Sequence, residues 1–309
     1  MVSVVLILLF LPLREGIMSA TAKAEGPIAG LPGDSNFYRE ARRTLRSFCP
    51  QAVLNWREAR YYARYGEVEL HLLEFLCRRD RDAIDVGAND GSYVHYLRRY
   101  ARQVIAFEPM PALANMLRRK FRRGVVVESV ALSDAAGRVS LCMPVVDGAV
   151  VNGCSTISSA ASAVYPAHRA IKVPMDRLDD VYGGDVGFIK IDVEGHQQAV
   201  LAGAVATIRR CRPRMLVEAE ERLSPGGLAR AKAYFKQLGY RGYYVHDGRL
   251  EPIDQFSIAR LQKPSNLPDL TAPLEQRKRF GQYLYNFIFL PPDEPAETLR
   301  RMSERLSQL

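Results

Sequence analysis

Ala83-Ile84-Asp85-Val86-Gly87-Ala88-Asn89-Asp90-Gly91-Ser92 is the stretch on which the reading of the whole chain turns. Its first four residues form a short apolar run of the kind that buried parallel strands show. Two glycines then bracket a polar turn, and Ser92 opens a segment with helical spacing to about Arg102. Strand, glycine-rich turn and helix in that order put free backbone N–H groups at a helix start, where an anionic group can sit. Glycine lets the chain turn tightly and lets a ligand approach the backbone closely. Glu108 follows 23 residues after Asp85, at the tip of the next apolar run, Val104-Ile105-Ala106-Phe107. An acidic side chain there can accept hydrogen bonds from both hydroxyls of a ribose.

Outward from this unit the same alternation continues. Pro111 suits the first turn of a helix, in which Leu113, Met116, Leu117 and Phe121 face inward. Val125-Val126-Val127 is a third strand, and Phe188-Ile189-Lys190-Ile191 a fourth. The fourth leads into one helical stripe of Val200, Leu201, Ala204, Val205 and Ile208. Met215-Leu216-Val217 is the fifth strand, and Ser224-Pro225 caps a helix that Gly239 ends. Gly242 to Val245 and Tyr283 to Leu290 complete the set. Strands alternating with amphipathic helices predict an α/β, Rossmann-like fold. Its sheet is seven-stranded and mostly parallel, with helices on both faces and the last strand antiparallel.

The expected organisation is an apolar segment and linker over 1–33, a helical cap over 34–80, the Rossmann-like domain over 81–292 and a tail helix over 293–309. In the cap, Val68, Leu72, Phe75 and Leu76 share a helical face. Residues 144–170 show no clear periodicity, and 254–281 interrupt the last two strands. Loops of that length are commonly functional, and both can lie over the strand ends, where ligands bind in open α/β sheets.

The first 13 residues, MVSVVLILLFLPL, are too few to span a bilayer. They read as the h-region of a signal, with Ala20-Thr21-Ala22 as a cleavage site, or as a start assigned too early with Met18 as the true one. No Lys or Arg precedes the apolar run, and the location expected is cytoplasmic, with export or N-terminal membrane association as the alternative. Five cysteines (Cys49, Cys77, Cys142, Cys154 and Cys211) are scattered, with no C-x-x-C pair. That argues against a disulfide framework or a zinc site. The net charge of +9 rests largely on arginine pairs spread over different helices. Without interleaved aromatic platforms they read as solvated helix faces rather than a nucleic-acid surface.

The turn is not the dinucleotide fingerprint G-x-G-x-x-G, because position 89 is Asn and position 92 is Ser. A pyrophosphate needs the open glycine turn, whereas a methionine moiety carries an amine and a carboxylate and tolerates polar side chains. Asp85 offers that amine an acceptor. The chain resembles the FkbM family of class I methyltransferases. The resemblance is carried by Ile84 to Gly91, Ala106-Phe107-Glu108-Pro109, Val130 to Gly137, Met175 to Asp180 and Ile189-Lys190-Ile191-Asp192-Val193-Glu194-Gly195. Val200 to Ala204 and Arg212-Pro213 extend it, so that it covers about residues 82 to 292 in order. It implies S-adenosylmethionine held by Asp85, Gly87, Asn89 and Gly91, with Glu108 on the ribose and Ser129 to Ala131 beside the adenine. It implies methylation of hydroxyl oxygens of sugars or other small molecules.

Methyl transfer from a sulfonium needs the acceptor, methyl and sulfur in line, so positioning dominates. An alcohol must also lose its proton, and a nearby base helps by ~10²–10⁴-fold. Asp192, Glu194 and His196 fall where the fourth strand ends. His196 or Glu194 is expected as the base and Asp192 as an orienting or cofactor-contact carboxylate. Asp179, Asp180 and Asp192 are oxygen ligands of the kind Mg²⁺ takes, but they form no clear ligand array and no metal is expected. His168 is expected at the surface. An RNA or DNA methyltransferase and a non-catalytic Rossmann-like binding protein are the competing readings.

Overall fold

The computed structural model of the chain describes residues 51–146, 149–164, 167–267 and 282–309. The segment 1–33, the first part of the cap, Cys49 and residues 268–281 lie outside them. The strands are β1 (Asp82–Val86), β2 (Val104–Phe107), β3 (Val125–Glu128), β4 (Ala131–Leu132), β5 (Gly137–Val146), β6 (Ala149–Val150), β7 (His168–Asp176), β8 (Val186–Ile191), β9 (Arg214–Glu218), β10 (Arg241–His246), β11 (Arg249–Pro252) and β12 (Asn286–Leu290). The principal helices are α1 (Gln51–Tyr65), α2 (Ser92–Tyr100), α3 (Pro111–Lys120), α4 (Gln197–Ala202), α5 (Val205–Cys211), α6 (Gly227–Gln237) and α7 (Ala296–Ser307).

The main sheet runs β11-β10-β12-β9-β8-β1-β2-β3. Its β3, β2, β1, β8 and β9 are parallel, while β12 lies antiparallel between β9 and β10. The mostly parallel α/β sheet with an antiparallel last strand is therefore present, but with eight strands rather than seven. The eighth, β11, pairs antiparallel with β10 across Asp247-Gly248, both at positive φ. An Asp-Gly pair is a strong hairpin signal. It escapes notice here because the returning strand is four residues long and ends in Pro252.

Residues alternate along the central strands with the period of two that a pleated strand imposes. Ala83, Ala106, Phe188 and Leu216 face α1, α2 and α7, among Ala59, Tyr93, Val94, Leu97, Met302 and Leu306. Ile84, Val86, Ile105, Ile189 and Met215 face α4, α5 and α6 on the other side. Both faces of the sheet are thus covered, as a parallel sheet requires. Within the cap, the predicted helical face of Val68, Leu72, Phe75 and Leu76 falls on two short turns (Val68–His71 and Leu73–Leu76) that follow α1, rather than on one helix.

Strands β4 to β7 build a second sheet, in the order β4-β7-β5-β6. The β5–β7 ladder pairs Gly137 with Met175 through to Pro144 with His168. It corrects the reading of 144–170 as lacking regular structure, because both ends of that segment continue strands. Val139, Leu141 and Met143 alternate toward a small core with Met110, Leu113 and Val173. His168 is exposed. Ser224 does not cap α6: the cap is Gly226 in the left-handed conformation, and the Ser224 hydroxyl accepts from Arg230 at 3.2 Å. Among the described residues, no helix is long and apolar enough to cross a membrane.

The stripe Val200 to Ile208 is two helices broken at Gly203, not one. The break exists because the Ser133 carbonyl of the second sheet approaches there. A Cβ on Gly203 would lie 1.8 Å from that oxygen. Asp179 then caps α5, its two oxygens accepting from Thr207 and Ala206 N–H at 2.8 Å. Gly203→Ala must therefore push the two sheets apart, at a cost of about 2–4 kcal/mol. Thermal unfolding should show Tm lower by about 5 °C or more; an unchanged Tm would mean that the Ser133 segment yields freely.

Candidate functional site

The site forms where β1, β2 and β8 end side by side. The Phe107 carbonyl accepts from Gly87 N–H at 2.9 Å and Ala88 N–H at 3.1 Å, and the Val86 carbonyl accepts from Asp192 N–H at 3.0 Å. Gly87 sits at φ 84°, and a Cβ on it would lie 1.9 Å from the Asp192 carbonyl oxygen. Only glycine fits where the two strand ends cross. Asn89 follows at φ 46°, a conformation that Asn tolerates better than most side chains. Gly91, at φ 82°, is the N-cap of α2.

Glu108 is 5% exposed, and two backbone donors hold it. Asn89 N–H donates to Oε2 and Met110 N–H to Oε1, each at 2.8 Å. Burial pushes its carboxyl up to about 7, against the pull of these two donors. A cleft of about 620 Å³, open to solvent, lies beside it. Gly87, Asn89, Glu108, Ala131, Asp192, Glu194 and His196 all line that cleft. So do Gly153, Ser155, Thr156 and Ile157, which the second sheet carries over the strand ends.

Asp85, Gly91 and Ser129 were expected at the cofactor and are not among the lining residues. Gly91 serves the turn, and Val130 lines the cleft beside Ser129. Asp85 points to the opposite face of the sheet from Val86, as strand alternation demands. It is fully buried, with neither carboxylate oxygen hydrogen-bonded, and Lys190 Nζ is 3.9 Å away. Burial pushes the Asp85 carboxyl up to about 6, opposed by Lys190.

Lys190 joins this buried group to the cleft. Its ammonium, 4% exposed, donates to Asp192 Oδ2 at 2.8 Å and stands 4.4 Å from the centroid of the Tyr93 ring. Burial opposes its charge, yet Asp192, Asp85 and Glu67 together hold its pKa above the ordinary lysine value. The Tyr93 hydroxyl in turn donates to Glu67, which also accepts from Asn286 Nδ2 at 3.1 Å. Carboxylate oxygens of Asp192, Glu194 and Glu218 lie within 4.8 Å of one another, close enough to surround one cation. Burial, then the neighbouring carboxylates, push the Glu194 and Glu218 carboxyls well above the usual range.

Sequence reading missed Glu218, Glu67 and Lys190. The first had a signal, since Glu218 ends the strand Met215-Leu216-Val217 on the side where open α/β sheets bind ligands. His196 lines the cleft, but its Nε2 lies 2.9 Å from the hydroxyl of buried Ser133. That hydroxyl donates to Asp134 Oδ1 at 3.1 Å, so the ring nitrogen is the donor to it. Burial lowers the His196 pKa, offset in part by Asp134. Asp179, weighed as a magnesium ligand, is occupied as the α5 cap, and Asp180 reaches Arg177 at 3.6 Å.

The family model for the methyltransferase FkbM domain matches residues 85–241, just over half of the chain. A comparison with curated proteins returned no match. Among solved structures, methyltransferase FkbM from Methylobacillus flagellatus is 17% identical, with a TM-score of 0.46 over 75% of this chain and 50% of its own. The chain thus spans half the length of that relative. An rRNA methylase from Streptococcus thermophilus is 7% identical over 72% of this chain and 93% of its own, with a TM-score of 0.37. SMU.1697c from Streptococcus mutans, solved in complex with SAH, is 10% identical over 72% and 95%, also with a TM-score of 0.37. With its motifs in order from Asp85 to the end of strand β9, and with the family model spanning them, the chain belongs to the FkbM family of S-adenosylmethionine-dependent methyltransferases.

Proposed function

We propose that the chain methylates a hydroxyl oxygen of a small molecule or glycan, with Glu194 taking the hydroxyl proton. The observation that carries this reading is the carboxyl group of Glu194, beside Asp192 and Glu218 and on the same cleft as Gly87, Asn89 and Glu108. Gly87 and Asn89 would hold the methionine end of S-adenosylmethionine, and Glu108 the ribose, with Ala131 toward the base. The bare backbone at Gly87 and the buried carboxylate of Glu108 fit such a ligand. When bound, the cofactor supplies an already activated methyl group. The protein's part is to align the acceptor oxygen and accept its proton as the oxygen–methyl bond forms.

Glu194 suits that part better than His196, whose Nε2 is committed to Ser133. Lys190 compensates Asp192 directly. Burial raises the proton affinity of Glu194 and Glu218, so once Glu194 is ionised it takes the acceptor's proton readily. Asp192 is the orienting carboxylate. Among the described residues that line the cleft none is Lys or Arg, so a sugar or other hydroxylated small molecule fits better than the phosphates of RNA or DNA.

Calorimetric titration should show micromolar binding of S-adenosylmethionine and none of NAD. Ribose hydroxyls donate to the ionised form of Glu108, and its free carboxyl sits at about 7. Affinity should therefore be full above pH 8 and fall as the pH drops through 7. Glu108→Gln should weaken binding about tenfold and flatten that dependence. Equal affinity at pH 6 and pH 8.5 in the unaltered protein would remove Glu108 from the ribose.

Screening hydroxylated sugars with methyl-labelled cofactor tests the reaction itself. Because the Glu194 carboxyl is raised, kcat should climb with pH as the proton leaves. Glu194→Gln should cost ~10²–10⁴-fold in kcat, while His196→Ala should cost less than about tenfold. The reverse order of losses would return the base to His196.

A further inference from the structure

Glu194 holds a backbone conformation that side-chain-bearing residues seldom adopt, φ 46°, immediately before Gly195 at φ 88°. Such a residue persists only where its surroundings over-determine it. Here the restraint comes from the second sheet. The Thr156 hydroxyl donates to the Glu194 carbonyl at 2.7 Å across 38 residues of sequence. That hydroxyl has one proton to give, and its oxygen accepts from Ser158 N–H at 2.9 Å. Thr156 is 2% exposed, so no water competes for the bond.

Thr156 is itself anchored. Its N–H donates to the Cys142 carbonyl at 2.9 Å, and its carbonyl accepts from Cys142 N–H at 2.8 Å. Cys142 lies in the middle of β5, inside the β5–β7 ladder. The segment Gly153–Ile157 is thus riveted to a long hairpin at one point and to the Asp192–Gly195 turn at the same residue. From this geometry we infer that Thr156 is a positioning residue for methyl transfer: its hydroxyl fixes the left-handed Glu194 peptide and so aims the Glu194 carboxyl into the cleft. The inference rests on Glu194 as the proton acceptor. It makes the second sheet part of the catalytic apparatus rather than a cover over it.

Thr156→Val keeps the shape of the side chain and removes the hydroxyl, and Thr156→Ser keeps the hydroxyl. The crystal structure of the valine variant should show Glu194 leaving the left-handed region, since its hydroxyl donor among the described residues is then gone. With a hydroxylated sugar from the screen as acceptor, kcat should fall about tenfold or more. S-adenosylmethionine affinity should stay within about twofold and the serine variant within about threefold of the original kcat. In a Glu194→Gln background the valine substitution should add nothing further. Should the valine variant not fold, Thr156→Ala removes the same hydroxyl with less bulk.

A left-handed Glu194 retained in the valine variant, together with unchanged kcat, overturns the inference. An equal loss with and without Glu194 also overturns it, because Thr156 would then act through something else. Full activity in Glu194→Gln alone, or no transfer by the unaltered protein to any acceptor, defeats instead the reading of function on which this rests. The crystallographic φ of Glu194 then still decides whether Thr156 positions it.

Discussion

One ammonium group sits at the centre of this molecule, and the site is arranged around it. Lys190 interrupts an apolar strand that is buried along its whole length. Taking a lone charge out of water costs many kcal/mol, and the fold offsets that with two carboxylates and an aromatic face. Asp85 on the neighbouring strand, Asp192 two residues on and the Tyr93 ring surround the same nitrogen. The lysine in turn makes it tolerable to bring Asp85, Asp192 and Glu67 together. Without that cation, the carboxylates at the strand ends would repel one another.

The dependence reaches residues that lie far apart in the chain. Glu67 comes from the cap, ahead of the stretch that the family model covers, and Asn286 from the last strand, beyond it. Asn286 and Tyr93, the second residue of the helix that follows the glycine turn, both donate to Glu67. Cap, turn helix and last strand therefore share one polar knot behind Lys190. The result is a protein with a positive formal charge overall and a cleft lined by carboxylates. The surface arginines and the site have opposite electrostatic character.

Much of this was legible in the sequence, because strong local patterns carried it. The parallel strands stand out as apolar runs, and the turn at Gly87 as glycines between strand and helix. Glu108 followed from its distance to that turn. What escaped notice depends on contacts that no local pattern contains. Gly203 breaks a continuous apolar stripe only because Ser133 approaches it from another sheet. Asp85 was placed at the ligand by its nearness to the glycines, but strand alternation turns it to the other face. The β5–β7 hairpin was hidden in part by its own middle, where the chain between the strands mixes serine, alanine and glycine without period. Glu218 was there to be read, as a carboxylate ending a buried strand. Glu67 had no signal at all, since only the tertiary fold brings the cap to the lysine.

The order of strands in the main sheet has a consequence for how the chain is made. β12 is the last strand in sequence, yet it lies between β9 and β10, antiparallel to both. A ribosome delivers β9, β10 and β11 first, and β9 cannot pair with β10 across the gap that β12 will fill. Until residues 286–290 emerge, β9 and β10 present open hydrogen-bonding edges. The β10–β11 hairpin can form at once from local contacts, but it has nothing to dock against. Closure of the sheet therefore waits for residues 286–290, and the polar knot at Glu67, Tyr93 and Asn286 is complete in the same step. The cap residue Glu67 gains its Asn286 partner only after 219 further residues have been added.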